Sequence, residues 1–158
     1  MTLPGQSDLA PDLCETLCAI GKVLSDASDP WWVIASAAAA LHGARPITVR
    51  DVDVLLSEND ARRVLPSLGL AVEPGPDHPR FRSAVFAAWS AHSLPVEFMA
   101  GFCRKDGNAW VRVQPVTRVP IAVVNGVIHV PQRQELEAMF VSFGRPKDHE
   151  RAALLRAL

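Results

Sequence analysis

In the apolar run Val49–Leu56 two aspartates, Asp51 and Asp53, alternate with valines. Side chains two residues apart on a β-strand point to the same face of a sheet, so the two carboxylates share one face while Val52 and Val54 share the other. Such a strand needs a sheet with one face packed against apolar side chains and one face open to polar groups. The run therefore predicts a central β-strand with a candidate site on one face.

Helical and strand patterns alternate around this run. Apolar spacings, alanine content and helix-start residues predict helices over 9–24, 36–41, 58–68, 133–143 and 146–158. Short β-branched or aromatic runs predict strands over 31–34, 49–56, 81–89, 94–101, 109–113, 121–124 and 127–130. The last two strands are expected to form a hairpin with a type I′ turn at Asn125-Gly126. This order predicts one α/β (α+β) domain over residues 1–158, with a mixed sheet and helices mainly on one side.

Composition and charge exclude several functional classes. The 158 residues carry 16 Lys+Arg against 17 Asp+Glu, so the net charge of -1 gives no global attraction to nucleic acid or to an anionic membrane, and no strong basic patch is visible. The N-terminus shows no secretory signal, and the most apolar stretch, Trp32 to Leu41, is too short to span a bilayer. We therefore expect a cytoplasmic protein with no membrane partner. Three cysteines and five scattered histidines indicate reduced thiols rather than a zinc site.

The paired aspartates point to a metal. Two carboxylates held close together repel each other unless one is protonated or a cation lies between them. Mg²⁺ (or Mn²⁺) prefers oxygen ligands and is commonly held by one or two carboxylates plus substrate phosphates, so Asp51 and Asp53 form a candidate half-site. Two solvated aspartates at a strand end are the alternative. Upstream, Ser36 lies between a strand and a helix, where it can bind a phosphate or act only as the helix N-cap.

Three segments together carry a resemblance: Ala35-Ser36, Leu41-His42-Gly43, and Arg45-Pro46-Ile47-Thr48-Val49-Arg50-Asp51-Val52-Asp53-Val54. They resemble the signature of the nucleotidyltransferase superfamily that includes DNA polymerase beta, the aminoglycoside and lincosamide nucleotidyltransferases, and toxin-like minimal members. In that family a Gly-Ser turn precedes a helix, and an Asp-x-Asp strand follows. The resemblance implies that Ser36 contacts a phosphate and that Asp51 and Asp53 bind the metal. Ala35 replaces the usual Gly, and its Cβ narrows the turn if the backbone needs a positive φ there.

The family also has a third carboxylate on a later strand, for which Glu97 is the candidate. Val96 and Phe98 face one side of the predicted strand, which leaves Glu97 on the other side. The resemblance implies that Glu97 ligates the catalytic metal and serves as the base for the acceptor hydroxyl. A solvent-facing glutamate fits the same alternation.

Cations flank these carboxylates in the sequence. Arg45 and Arg50 either clamp phosphate or balance the aspartates. The stretch 144–148, Gly-Arg-Pro-Lys-Asp, is similar to an Arg-x-Lys-Asp stretch near the end of many small members, which implies that Lys147 neutralises a triphosphate. The alternative is a helix start with Lys147 solvated and Asp148 complementing the helix dipole.

The resemblance implies metal-dependent transfer of a nucleoside monophosphate from an NTP to an acceptor hydroxyl, with release of pyrophosphate. The expected catalytic and metal-binding residues are Asp51, Asp53 and Glu97, and the expected nucleotide-binding residues are Ala35, Ser36, Arg45, Arg50 and Lys147. The acceptor is open, with nucleic acid expected only in that role and a protein partner or homodimer allowed. The alternative is a catalytically silent nucleotide-binding or interaction module, such as one half of a toxin–antitoxin pair.

Overall fold

The computed structural model describes residues 9–158. The helices are α1 (Pro11–Val23), α2 (Ala35–Leu41), α3 (Glu58–Ser67), α4 (Arg133–Phe143) and α5 (Pro146–Arg156). The strands are β1 (Trp32–Ile34), β2 (Val52–Leu55), β3 (Phe81–Arg82), β4 (Val85–Trp89), β5 (Val96–Ala100), β6 (Cys103–Asp106), β7 (Ala109–Arg112), β8 (Val119–Val123) and β9 (Gly126–Val130). A membrane-spanning helix is absent from residues 9–158, where α1, at 13 residues, is the longest helix.

Four strands form a central mixed sheet in the order β1-β2-β5-β4. Strands β2 and β5 run parallel in the middle, and β1 and β4 pair with them antiparallel at the edges. The predicted α+β class and mixed sheet are confirmed. The remaining strands of residues 9–158 form two smaller sheets, β3-β6-β7 and the hairpin β8-β9.

The central sheet separates an apolar face from a polar one. The row Val33, Val54, Phe98 and Ala87 crosses all four strands, and its first three members are fully buried. We call this the core face. The neighbouring row crosses the sheet as Ile34, Asp53, Glu97 and Ala88, and its face is called the polar face. The alternation predicted from the sequence thus separates packing from chemistry, because neighbouring residues on a strand point to opposite faces.

Several predicted elements need correction. The run predicted as one strand over 81–89 is divided between β3 and β4, which belong to different sheets. Strand β6 was not predicted, because its sequence Cys-Arg-Lys-Asp shows no apolar alternation. The hairpin turn consists of Val124 and Asn125 rather than Asn125 and Gly126, and only Asn125 of the three has a positive φ, 66°.

Gly126 serves a packing contact instead of the turn. A Cβ built on Gly126 would lie 3.2 Å from the carbonyl carbon of Gly21 in α1, and a Cβ on Gly21 would lie 3.2 Å from Cγ2 of Val123. Helix and hairpin therefore approach each other at two glycines. Gly126 therefore belongs to strand β9, where it pairs with Val123, and not to the turn.

A buried carboxylate fixes the loop that leads into β1. Asp60 is fully buried in α3, and its two oxygens accept hydrogen bonds from the backbone N–H groups of Ser28 and Asp29, both at 2.9 Å. Arg63 also donates to Asp60, at 3.2 Å. Burial opposes ionisation, but these hydrogen bonds together lower the pKa of Asp60. Since β1 runs directly into Ala35, this network anchors one wall of the polar face.

Replacing Asp60 by Ala is expected to reduce the free energy of unfolding by about 2–4 kcal/mol, because two buried N–H groups lose their acceptor. Because the lowered pKa stabilises the folded state above the unfolded pKa of about 4, this contribution should disappear as the pH falls through the folded-state pKa. Urea unfolding at neutral and acidic pH measures both effects. The exposed neighbour variant Asn59→Ala is the control, with an expected change within about 0.5 kcal/mol; equal losses in the two variants would contradict the assigned role of Asp60.

Candidate functional site

Two carboxylates meet on the polar face of the central sheet. Asp53 of β2 and Glu97 of β5 occupy paired positions of the two parallel strands, and Asp51 lies two residues before Asp53, directly before the start of β2. Oδ1 of Asp53 is shielded from solvent and has no hydrogen-bond partner. The structure thus brings the three predicted carboxylates to one face, with Asp53 the most confined.

The electrostatics of this cluster favour a cation. Burial raises the pKa of Asp53 well above its ordinary value, and the negative charges of Asp51 and Glu97 raise it further. A hydrogen-bonding contact with Glu97 acts in the same direction, while the positive charge of Arg145 acts against it. Without a cation the site therefore favours a protonated Asp53.

The backbone at Ala35 has a left-handed conformation, which glycine adopts more readily than alanine. Ala35 has a φ of 58°, in the left-handed region, and follows β1 directly. For a residue with a Cβ, this conformation costs roughly 1–2 kcal/mol. Helix α2 begins at Ala35 with Ile34 as its N-cap, so Ser36 is not the N-cap, and the N-cap alternative for Ser36 is wrong. Ser36 is buried in the first turn of α2.

A charged cleft of about 460 Å³ opens beside these residues. Its wall combines four acidic side chains with four basic ones. The acidic residues are Asp51, Asp53, Glu97 and Glu150, and the basic residues are Arg50, Arg145, Lys147 and Arg151. Ala35, Ser36 and Thr48 also line it. A cleft with both signs of charge suits an anion that arrives with a divalent cation.

Of the predicted nucleotide-binding residues, Ala35, Ser36, Arg50 and Lys147 line the charged cleft. Arg45 does not; it lines a separate cavity beside the start of α1. The three residues that follow it, Pro46, Ile47 and Thr48, do line the charged cleft. The structure therefore brings together all of the predicted site residues except Arg45.

Arg145 is the site residue that the sequence analysis missed. Its Nε and one terminal nitrogen donate to the two oxygens of the buried Asp148, at 2.6 and 3.0 Å, which fixes the guanidinium in a bidentate ion pair. The same guanidinium lies 5.0 Å from the ring centre of Phe81. The Arg-x-x-Asp spacing at a helix start was the available signal, since residues three apart face each other there. Asp148 thus positions Arg145 in addition to starting α5.

A second, aromatic cleft of about 270 Å³ meets the charged cleft at the carboxylates. Both clefts are lined by Ala35, Asp53, Glu97 and Arg145. Away from this junction the aromatic cleft is lined by Phe81, Phe86, Met99, Phe102 and Phe143, with His78 and Arg82 among its polar residues. The carboxylates therefore lie where two spaces of different chemistry join.

The residues at the junction fit a divalent cation that the substrate helps to bind. Among residues 9–158, no three His, Cys, Asp or Glu side chains converge closely enough to hold a metal ion by themselves. Mg²⁺, however, usually takes one or two protein carboxylates and completes its shell with waters and substrate phosphates. The unpartnered Oδ1 of Asp53 and the neighbouring Asp51 supply oxygen ligands of this kind.

Replacing Asp53 by Asn is expected to stabilise the protein at neutral pH in EDTA by about 1–3 kcal/mol, because a confined ionisable group is removed. The unfolded chain releases its Asp53 proton near pH 4 and the folded chain at higher pH, so wild-type stability should fall as the pH rises through this window. Urea unfolding of the wild type and the variant between pH 4 and 8 checks both statements. The exposed Asp26→Asn is the matched control, and a variant less stable than the wild type at pH 7 would refute the account.

Comparison with known proteins gives structural relatives. No protein-family model and no curated protein matches the chain. A candidate nucleotidyltransferase from Thermotoga maritima has a TM-score of 0.69 at 18% identity, over 85% of this chain and 86% of that one. The lincosamide antibiotic adenylyltransferase LnuA, bound to lincomycin, has a TM-score of 0.51 at 9% identity, over 80% and 85%. The antibiotic-resistance factor ANT(2″)-Ia has a TM-score of 0.52 at 14% identity, over 90% and 83%.

At these identities the likeness concerns the fold. It extends over most of the described residues and over most of each relative. The chain therefore has the fold of the nucleotidyltransferases, as the resemblance in its sequence implies.

Proposed function

We propose that this protein transfers a nucleoside monophosphate from an NTP to an acceptor hydroxyl and releases pyrophosphate. The observation that carries the proposal is the pairing of Asp53 with Glu97 where the charged and aromatic clefts join. One cleft offers cations for phosphates, and the other offers room for an uncharged group. The fold shared with proteins described as nucleotidyltransferases supports the same activity.

The charged cleft would hold the triphosphate. Lys147 and Arg50 are exposed cations on its wall. Asp148 holds Arg145 where the charged cleft joins the aromatic cleft. The bidentate ion pair fixes the guanidinium in advance, which lowers the entropy cost of binding a phosphate. Ser36 supplies a hydroxyl beside these cations.

Asp51 and Asp53 would hold Mg²⁺ or Mn²⁺ together with substrate phosphates, with Glu97 beside them on the polar face. When bound, the ion supplies positive charge that stabilises the attacking and leaving oxygens of a phosphoryl transfer. The confined carboxylate of Asp53 gains a counter-charge in the same event. Ligand and cation are therefore expected to bind together.

Glu97 is the proposed base. It lies on the polar face and lines both clefts, so a hydroxyl held in the aromatic cleft and a triphosphate held in the charged cleft would both lie beside it. Glu97 accepts the hydroxyl proton as the oxygen attacks the α-phosphorus, and the bond from that phosphorus to the bridging oxygen of the β-phosphate breaks. The products are the modified acceptor and pyrophosphate.

A silent nucleotide-binding module is the second candidate, because Ala35 places a Cβ in a left-handed turn beside the phosphate cleft. Such a module would bind an NTP and leave it intact. Both candidate functions predict nucleotide binding, but only the transferase predicts release of pyrophosphate.

Replacing Ala35 by Gly is expected to stabilise the protein by about 1 kcal/mol, because glycine adopts a positive φ without the clash of a Cβ. The matched control is Ala37→Gly in the same helix, where φ is not positive, and which should lose about 1 kcal/mol. Thermal unfolding measures both changes. A loss of similar size in the two variants would show that the turn at Ala35 is not strained.

The nucleotide site is tested by thermal unfolding with each of the four NTPs, with and without Mg²⁺ or Mn²⁺. At 100 times its dissociation constant a ligand adds about 2.7 kcal/mol, which raises the unfolding midpoint of a domain this size by roughly 5–10 °C. We expect a metal-dependent rise for the wild type and for Asp26→Asn, and none for the double variant Asp51→Asn/Asp53→Asn. A rise that survives in the double variant, or no rise with any NTP, would overturn the proposal.

A further inference from the structure

The sheet β3-β6-β7 presents a basic surface that the sequence analysis did not detect. Cross-strand pairing joins Arg82 to Cys103, Cys103 to Arg112, and Lys105 to Trp110. Paired residues, and residues two apart on one strand, point to the same side, so these five side chains share one face. We call it the basic face.

The basic face is positively charged and open to solvent. Arg82, Lys105 and Arg112 are exposed. Asp106 is the acidic residue of these three strands. It directly follows Lys105, so its side chain points to the opposite side of the sheet, where it lies 3.9 Å from Arg104. Three cations from three strands thus lie on one face, and the acidic residue of these strands lies on the other; Arg112 also lines a separate cavity that contains Asp29.

An indole lies under two of these cations. The Arg82 guanidinium is 4.7 Å from the ring centre of Trp110, and the Lys105 ammonium is 5.5 Å from it. A planar guanidinium over an indole offers a flat, cationic surface on which a nucleobase can stack.

An open groove connects the basic face with the carboxylates. The groove, of about 490 Å³, runs between Trp110 and the loop 74–79. Arg82, Ser83 and His78 line both this groove and the aromatic cleft, which ends at Asp53 and Glu97. Asp77 is the acidic residue on the loop wall of the groove. The path from the carboxylates to the basic face is therefore lined by both aromatic and cationic groups.

We infer that the acceptor is a single-stranded polynucleotide, bound along this groove with its phosphates on the basic face and its terminal hydroxyl at Glu97. The inference rests on the proposed function and names its acceptor class. Aromatic platforms combined with cations are the usual means of binding single strands, and a polycationic acceptor would be repelled by Arg82, Lys105 and Arg112.

The reaction adds one nucleotide. The terminal hydroxyl oxygen of the strand forms a bond to the α-phosphorus of the NTP, and the bond from that phosphorus to the β-bridging oxygen breaks. The hydroxyl proton passes to Glu97 and then to solvent, and pyrophosphate leaves. No oxidant or further reactant is needed.

The test is fluorescence anisotropy with a labelled single-stranded RNA 12-mer and a DNA 12-mer of the same sequence, over a range of salt concentrations. Three phosphate contacts predict a slope of log K against log[salt] of about -2, at roughly -0.7 for each phosphate. In Lys105→Ala/Arg112→Ala the slope should shrink by about 1.4 and affinity should fall roughly tenfold. Trp110→Ala should weaken binding about tenfold with little change of slope.

The matched control Lys22→Ala/Arg62→Ala removes two exposed cations from other surfaces and should bind the strands like the wild type. Both double variants should keep the midpoint rise with NTP and metal, since none of the four residues lines the charged or aromatic cleft. Two results together support the inference. The wild type binds the RNA or the DNA strand, with the weaker binding stated above for Lys105→Ala/Arg112→Ala and Trp110→Ala, and it makes a product one nucleotide longer when NTP and Mg²⁺ are added.

Three outcomes would overturn it. Strand binding that is absent, or equal in the two double variants, while NTP still raises the midpoint, refutes the acceptor and leaves the proposed function standing. Binding of polyglutamate as tight as that of the strands would show a general polyanion surface. No response to NTP or to either strand would refute the proposed function and the inference together.

Discussion

Like charges are held together at the centre of the main sheet, because Asp53 and Glu97 occupy paired positions of its two parallel strands. Folding gains nothing from this pairing, since a confined carboxylate beside two others is costly unless it is protonated or neutralised by a cation. Burial of apolar side chains on the core face of the same strands offsets this unfavourable free energy, since Val54 and Phe98 are fully buried there. The rigid pairing that the core enforces is what makes the carboxylates available as one cation site.

The surrounding elements hold the approaches to this pair. Asp60 fixes the loop before β1. Ala35, whose backbone is left-handed, follows β1 directly and lines the charged cleft. On the other side, buried Asp148 holds Arg145 at the junction of the two clefts. Both devices use a buried carboxylate with a full set of hydrogen bonds, in contrast to Asp53, whose Oδ1 has none. The carboxylates of Asp60 and Asp148 thus find their hydrogen-bond donors within the protein, whereas Oδ1 of Asp53 has no donor there.

Local patterns in the sequence were sufficient for the central part of the site. The alternation of apolar and acidic residues predicted that Asp53 and Glu97 point away from the apolar face of their strands. The resemblance marked position 35 as one that favours glycine. Features that depend on strand register were not predictable, because residues of β3, β6 and β7 become neighbours only through pairing across 30 residues of chain. For this reason the basic face was missed in a sequence with a net charge of -1. Arg45 illustrates the converse, since closeness to Asp51 in sequence did not place it in the cleft.

The most direct test of the central claim is a crystal structure with Mn²⁺ and a non-hydrolysable NTP analogue, in which anomalous scattering locates the metal. The account predicts a manganese peak bonded to carboxylate oxygens of Asp51 and Asp53, with the triphosphate in the charged cleft beside Ser36, Arg145 and Lys147. A nucleotide bound elsewhere, or a metal that leaves both aspartates unligated, would contradict it.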